Sequence, residues 1–139
     1  MKISTKGRYG LTIMIALAKN YGNDPLSLKS IAREYNLSDN YLEQIVAPLR
    51  NAGLVRSVRG AKGGYLLTDD PRKITAAEII RTLEGPIRLV EEVENEEPSK
   101  RELWKRMTNA VKEVLETTTL YDLIDHNNNY EHDVNMFYI

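Results

Sequence analysis

The sequence contains no cysteine, one tryptophan, one phenylalanine and two histidines. Without cysteine there can be no disulfide, no thiolate metal site and no cysteine nucleophile, and the chain suits a reducing cytoplasm. No apolar run approaches the ~18–20 residues of a membrane span, so no membrane association is expected. The start, Met1 to Arg8, is basic, but an amphipathic stretch follows with no small-residue cleavage site, so it does not read as a signal peptide. Catalytic material is scarce as well. Both histidines, His126 and His132, lie in a polar tail, no acid, base and nucleophile converge, and an enzyme is not expected. A metal site from His126, Glu131, His132 and Asp133 is a poor fit, because histidines six apart share no helix face. No cofactor is expected.

What is present is ordinary in bulk and uneven in distribution. At 139 residues there is room for one compact domain plus an appended helical element, and 42% hydrophobic with 28% charged residues suits a folded protein. Residues 1–64 hold ten Lys/Arg and four Asp/Glu, a net of +6, whereas residues 65–139 hold nine and sixteen, a net of −7. A basic front half points to a polyanionic partner.

Apolar residues at helical spacing predict a first helix from Arg8 to Tyr21, closed by Gly22-Asn23-Asp24-Pro25. Ser27 is placed to cap a second helix, Leu28 to Tyr35, and Ser38 a third, Asp39 to Ala52, ended by Gly53. Pro48 falls inside that third helix and implies a bend near its last turn. Leu54 to Val58 alternates as a strand, Arg59 to Gly64 turns, and Tyr65 to Thr68 returns. Thr75-Ala76-Ala77-Glu78 is a capping box for a helix that Gly85-Pro86 closes. An acidic loop at 91–97 precedes a long amphipathic helix, Ser99 to about Thr117. A short helix at Leu120–Ile124, a polar stretch and an apolar end, Met136 to Ile139, complete the chain.

Three helices followed by a two-stranded hairpin is the order of a winged helix-turn-helix. The expected fold is therefore mainly α with a small β-hairpin: residues 1–84 form the DNA-binding domain, and residues 85–139 the acidic loop, dimerisation helix and tail. The third helix offers Ser38, Asn40, Tyr41, Gln44 and Arg50 opposite its apolar face, groups suited to base edges and phosphates. Ser27, Leu28 and Lys29 lie where a helix N-terminus can meet a phosphate. The hairpin loop carries Arg59 and Lys62 among three glycines, a shape that can enter a minor groove. The apolar stripe of the long helix, wider than a lone solvent-facing helix needs, predicts a homodimer that reads a pseudo-palindrome in double-stranded DNA.

Ser4 to Tyr9, Tyr41 to Gln44, Leu49 to Val55, Val58-Arg59-Gly60 and Gly63-Gly64-Tyr65 resemble the Rrf family of bacterial winged-helix regulators, along nearly the whole chain. The resemblance implies a dimer clasped through the long helix, here Leu103, Trp104, Met107, Val111 and Val114. It adds Tyr9 and Arg50 as DNA-backbone contacts and Glu43 and Gln44 as base readers, and it sends Arg59 into the minor groove. Relatives that sense iron–sulfur status use three cysteines before the long helix; this chain has Glu91, Glu92, Glu94, Glu96 and Glu97 in that region and cannot ligate a cluster by thiolates.

Leu83 to Ile87, Glu97-Pro98, Lys100 to Trp104, Ala110 to Leu115 and Met136 to Ile139 are similar to the branch of the family that represses cysteine-metabolism genes. That likeness implies the enzyme cysteine synthase (CysK) as a partner. The apolar end then has two readings: it tucks into the dimer core, or Phe137, Tyr138 and Ile139 plug the enzyme's cleft through the terminal isoleucine and its carboxylate. An effector of another kind, metal or small molecule, acting through the C-terminal region is the alternative.

Overall fold

Ser4 opens the first helix one turn earlier than the apolar periodicity predicts. Its side chain accepts the Gly7 N–H at 3.2 Å, while its own N–H and hydroxyl donate to Glu84. The computed structural model describes residues 2–137, with side chains as far as Val134. α1 runs over Thr5–Lys19, not Arg8 to Tyr21: Asn20 takes the C-cap, and Tyr21 lies beyond it, 48% exposed. α2 (Leu28–Tyr35) is capped as expected by Ser27, which accepts the Ser30 N–H at 3.1 Å. α3 (Asp39–Asn51) has Ser38 at its N-cap position, but the Ser38 side chain makes no capping bond. Asp39 in the first turn supplies the favourable negative charge instead. Pro48 stays within α3 near its end; lacking an N–H, it leaves the Gln44 carbonyl without its intrahelical donor.

The hairpin consists of β1 (Val55–Val58) and β2 (Gly64–Leu67), antiparallel with Val55 opposite Leu67 and Val58 opposite Gly64. After a 3-10 turn at Pro71–Lys73, α4 (Ala76–Glu84) begins with the predicted capping box, Thr75 and Glu78 each bonding the other's backbone N–H. α5 spans Pro98–Thr117 and α6 spans Leu120–Phe137. The sequence predicts only a short helix at 120–124 followed by a polar stretch. α6 instead runs on without interruption, because no glycine or proline breaks it and its first turn is anchored. The anchor is double. Leu120 is fully buried, and the start of α4 is stitched to the α5–α6 junction by Ala76 N–H to Thr118 O at 2.7 Å and Leu120 N–H to Ile74 O at 2.9 Å.

One core joins these elements. Ile13, Met14 and Leu17 of α1, Ile31 of α2, Leu42, Ile45 and Leu49 of α3, Val55 of β1, Ile79 of α4 and Leu120 of α6 pack together. α5 stands apart, with no buried residue of its own. Among the described residues no helix is long and apolar enough to cross a membrane.

Candidate nucleic-acid interface

The periodicity that buries Leu42, Ile45, Val46 and Leu49 turns Asn40, Glu43 and Gln44 outward, one helix turn apart on a shared face. Arg50 is exposed in the last turn of α3. Ser38 is exposed too, and its uncommitted hydroxyl is open to an external acceptor or donor. Tyr41 is half-buried and meets Tyr9 of α1 edge to face, ring centroids 5.6 Å apart at 87°. That contact fixes both rings beside the exposed face of α3.

The wing is tied to α2 by backbone. Tyr65 N–H donates to Leu26 O at 2.8 Å and Leu26 N–H to Tyr65 O at 3.1 Å, so Leu26 adds a one-residue third strand just before the Ser27 cap. Gly64 makes this approach possible, since a Cβ there would lie 2.5 Å from both the carbonyl carbon and the oxygen of Leu26. The wing loop closes on a Gly63 N–H to Gly60 O bond of 3.0 Å and leaves Arg59 and Lys62 exposed.

The consequence is a groove of about 400 Å³ bounded by the start of α2, by α3 and by the wing. Ser27, Lys29, Glu43, Ser57, Arg59 and Tyr65 are among the residues lining it. Ser57 and Tyr65 are absent from the sequence expectations. The Leu26–Tyr65 pairing brings this part of the hairpin to the start of α2, a tertiary contact that no local pattern encodes. Leu28 also borders the groove, but its side chain is 8% exposed and belongs to the core; it has only its first-turn N–H to offer.

Tyr9, Ser38, Asn40, Tyr41, Gln44, Arg50 and Lys62 lie outside the groove lining. Among the described residues the ion pairs are Arg81–Glu116 and Lys100–Glu97, so Lys29, Arg50, Arg59 and Lys62 make no ion pair there. A set of exposed cations around a helix N-terminus and an amide-bearing helix face is chemically suited to phosphates and base edges.

α5 carries the expected stripe in the open. Leu103, Met107 and Val114 are 47%, 42% and 62% exposed, and Val111 is half-buried beside them. Trp104 is half-buried and donates its indole N–H to Glu96 at 2.6 Å, which fastens the acidic loop to α5. Phe137 closes α6 with its side chain outside the description, and Tyr138 and Ile139 lie outside the described residues altogether. His126 and His132 are both exposed on α6.

Comparison with known proteins agrees with this fold. The HTH-type transcriptional regulator CymR of Bacillus subtilis is 65% identical over 139 residues, all of both chains. The solved structure of CymR, the global cysteine regulator of B. subtilis, superposes with a TM-score of 0.87 at 67% identity, covering 91% of this chain and 98% of that one. The Staphylococcus aureus CymR structure gives a TM-score of 0.77 at 61% identity over 87% and 96% of the respective chains. Residues 3–126 match the Rrf2 family, described as iron-dependent transcriptional regulators, and the chain belongs to that family.

Proposed function

We propose that two copies of this chain bind a pseudo-palindromic operator and repress genes of cysteine metabolism. The observation that carries the DNA reading is the groove in which the start of α2, Glu43 of α3 and Arg59 of the wing converge. Asn40 and Gln44 suit adenine edges, and Glu43 suits the cytosine amine. Ser27, Lys29 and the first-turn N–H groups of α2 suit a phosphate, as do Ser38, Tyr9, Tyr41, Arg50 and Lys62 around them. Arg59 projects toward a minor groove. The cysteine-metabolism assignment rests on 65% identity along the full chain to CymR, the global cysteine regulator of B. subtilis.

In this reading residues 1–84 form the reading head and residues 85–139 the dimerising and regulatory part. The exposed stripe of Leu103, Met107, Val111 and Val114, with Trp104 beside it, is the face that the second copy covers. Half-sites then lie about 34–36 Å, one helical turn, or a multiple of it apart. The protein works as a binding protein, not as an enzyme, in the cytoplasm. The family's iron dependence does not extend here to thiolate ligation, because the chain has no cysteine.

Sequencing genomic fragments retained by the purified protein tests the proposal. A two-fold motif upstream of cysteine and sulfur genes is the expected result; fragments without a shared motif would overturn it. Cysteine synthase (CysK) is the proposed partner, engaged by Phe137, Tyr138 and Ile139 with the terminal carboxylate. Deleting Ile139 should abolish enzyme binding and leave operator binding by the repressor alone unchanged. Undiminished enzyme binding would remove the tail from this role.

A further inference from the structure

The half of the chain beyond residue 64 is acidic, yet three of its cations converge. Arg81, Gly85, Pro86, Ile87, Arg88 and Lys112 line a cleft of about 700 Å³ between the end of α4, the segment after it and the middle of α5. No carboxylate residue is in that lining. Gly85, at φ +82°, turns the chain sharply out of α4, a conformation that favours glycine. Ile87, 5% exposed, is buried and holds the returning segment in place, and Arg88 beside it lines the cleft together with Arg81.

Arg81 is held in position by its bond to Glu116, 2.6 Å from Nη2 to Oε1, which also ties α4 to α5. One such bond leaves most of the five guanidinium donors unused. Arg88 and Lys112 have no ion pair among the described residues. Like charges gathered in this way repel one another, and a doubly negative ligand relieves that repulsion while accepting the guanidinium donors.

We propose that this cleft binds a small dianion carrying carboxylate, phosphate or sulfate oxygens, and that the ligand acts as an effector of the operator binding argued above. The location supplies the coupling. α4 packs on α1 and α3 of the reading head on one side and on α5 on the other. A ligand bridging α4 and α5 therefore acts where the reading head joins the dimerisation helix. If its affinity differs between two settings of that joint, it shifts operator affinity by up to that factor. The regulatory part rests on the proposed function; the binding part does not.

The test is isothermal titration of the full-length, DNA-free protein with inorganic phosphate, sulfate and succinate in separate arms, at constant chloride. Saturable binding of at least one anion at about 1 mM or tighter is expected. Arg88→Gln with Lys112→Gln should weaken it about tenfold or more, the scale of two lost surface charge contacts. Arg88→Lys should retain most of it, and melting curves check that each variant folds. The arms separate an inorganic from an organic ligand. Absence of saturable heat in all three arms, or affinity unchanged in the double variant, overturns the site. So does a double variant that weakens self-association while the parent binds no anion, for then carboxylates of the second copy fill the cleft. Operator affinity measured with and without the bound anion tests the coupling separately. Unchanged operator affinity with intact anion binding removes the effector role alone; failure to bind any operator leaves the anion result standing and strikes the function.

Discussion

Arg59 and Lys62 sit three residues apart on one loop and should fail differently when removed. Arg59→Ala deletes a planar cation suited to a narrow minor groove, so operator affinity should fall roughly tenfold or more and preference for A/T at a flanking position should flatten. Lys62→Ala should weaken all sequences alike and reduce the slope of affinity against salt by about 1. Quantitative gel shifts on a randomised operator at several salt concentrations distinguish the two; identical profiles would remove Arg59 from the groove. Gly64 acts through position, not contact. Its missing Cβ admits Leu26, and Gly64→Ala should cost about 1–3 kcal/mol of stability, the usual scale of overpacking, while separating the wing from α2. Chemical denaturation reads the first effect and operator affinity the second.

At the scale of elements, three serines and a threonine preceding helices do not perform alike. Ser4, Ser27 and Thr75 accept a backbone N–H, whereas Ser38 does not. Thr75→Ala should therefore cost about 1 kcal/mol and Ser38→Ala little, a contrast that thermal melting of the two variants checks. α6 adds an electrostatic effect that its sequence conceals. The pKa of the Tyr35 phenol is raised above its ordinary value, first by burial and then by Glu34 and by Glu131 of α6. A raised folded-state pKa favours the protonated phenol. Its contribution to stability is full below the unfolded value and is lost as pH rises through the folded one. Tyr35→Phe should accordingly make the decline in stability above about pH 10 shallower, measured by urea unfolding at pH 8 and at pH 10.5.

For the whole molecule, α5 is decisive because none of its residues is fully buried within its own chain. A 20-residue helix with Leu103, Met107 and Val114 this exposed is short of apolar burial in isolation. If the proposed dimer forms through this stripe, Val114→Asp should leave a monomer at micromolar concentration and weaken operator binding by more than tenfold, since each half-site would then bind alone. Light scattering and gel shifts read the two effects. A Val114→Asp protein that remains dimeric would move the interface away from α5.

The sequence by itself determined the order of elements, the winged helix-turn-helix class, the face of α3 that turns outward and the wing cations. All of these follow from local periodicity, turn residues and charge, which act over a few residues. It misjudged extents where tertiary contact overrides a local pattern: α1 starts at Thr5 because Ser4 is held by Glu84, and α6 runs to Phe137 because buried Leu120 anchors its first turn. It missed Ser57 and Tyr65, because their place in the groove depends on the Leu26–Tyr65 pairing between hairpin and α2. The cleft of Arg81, Arg88 and Lys112 was equally invisible, for its lining is drawn from residues 31 positions apart between its first and last members. Spacing along the chain encodes what one element presents; only packing decides which elements present it to the same place.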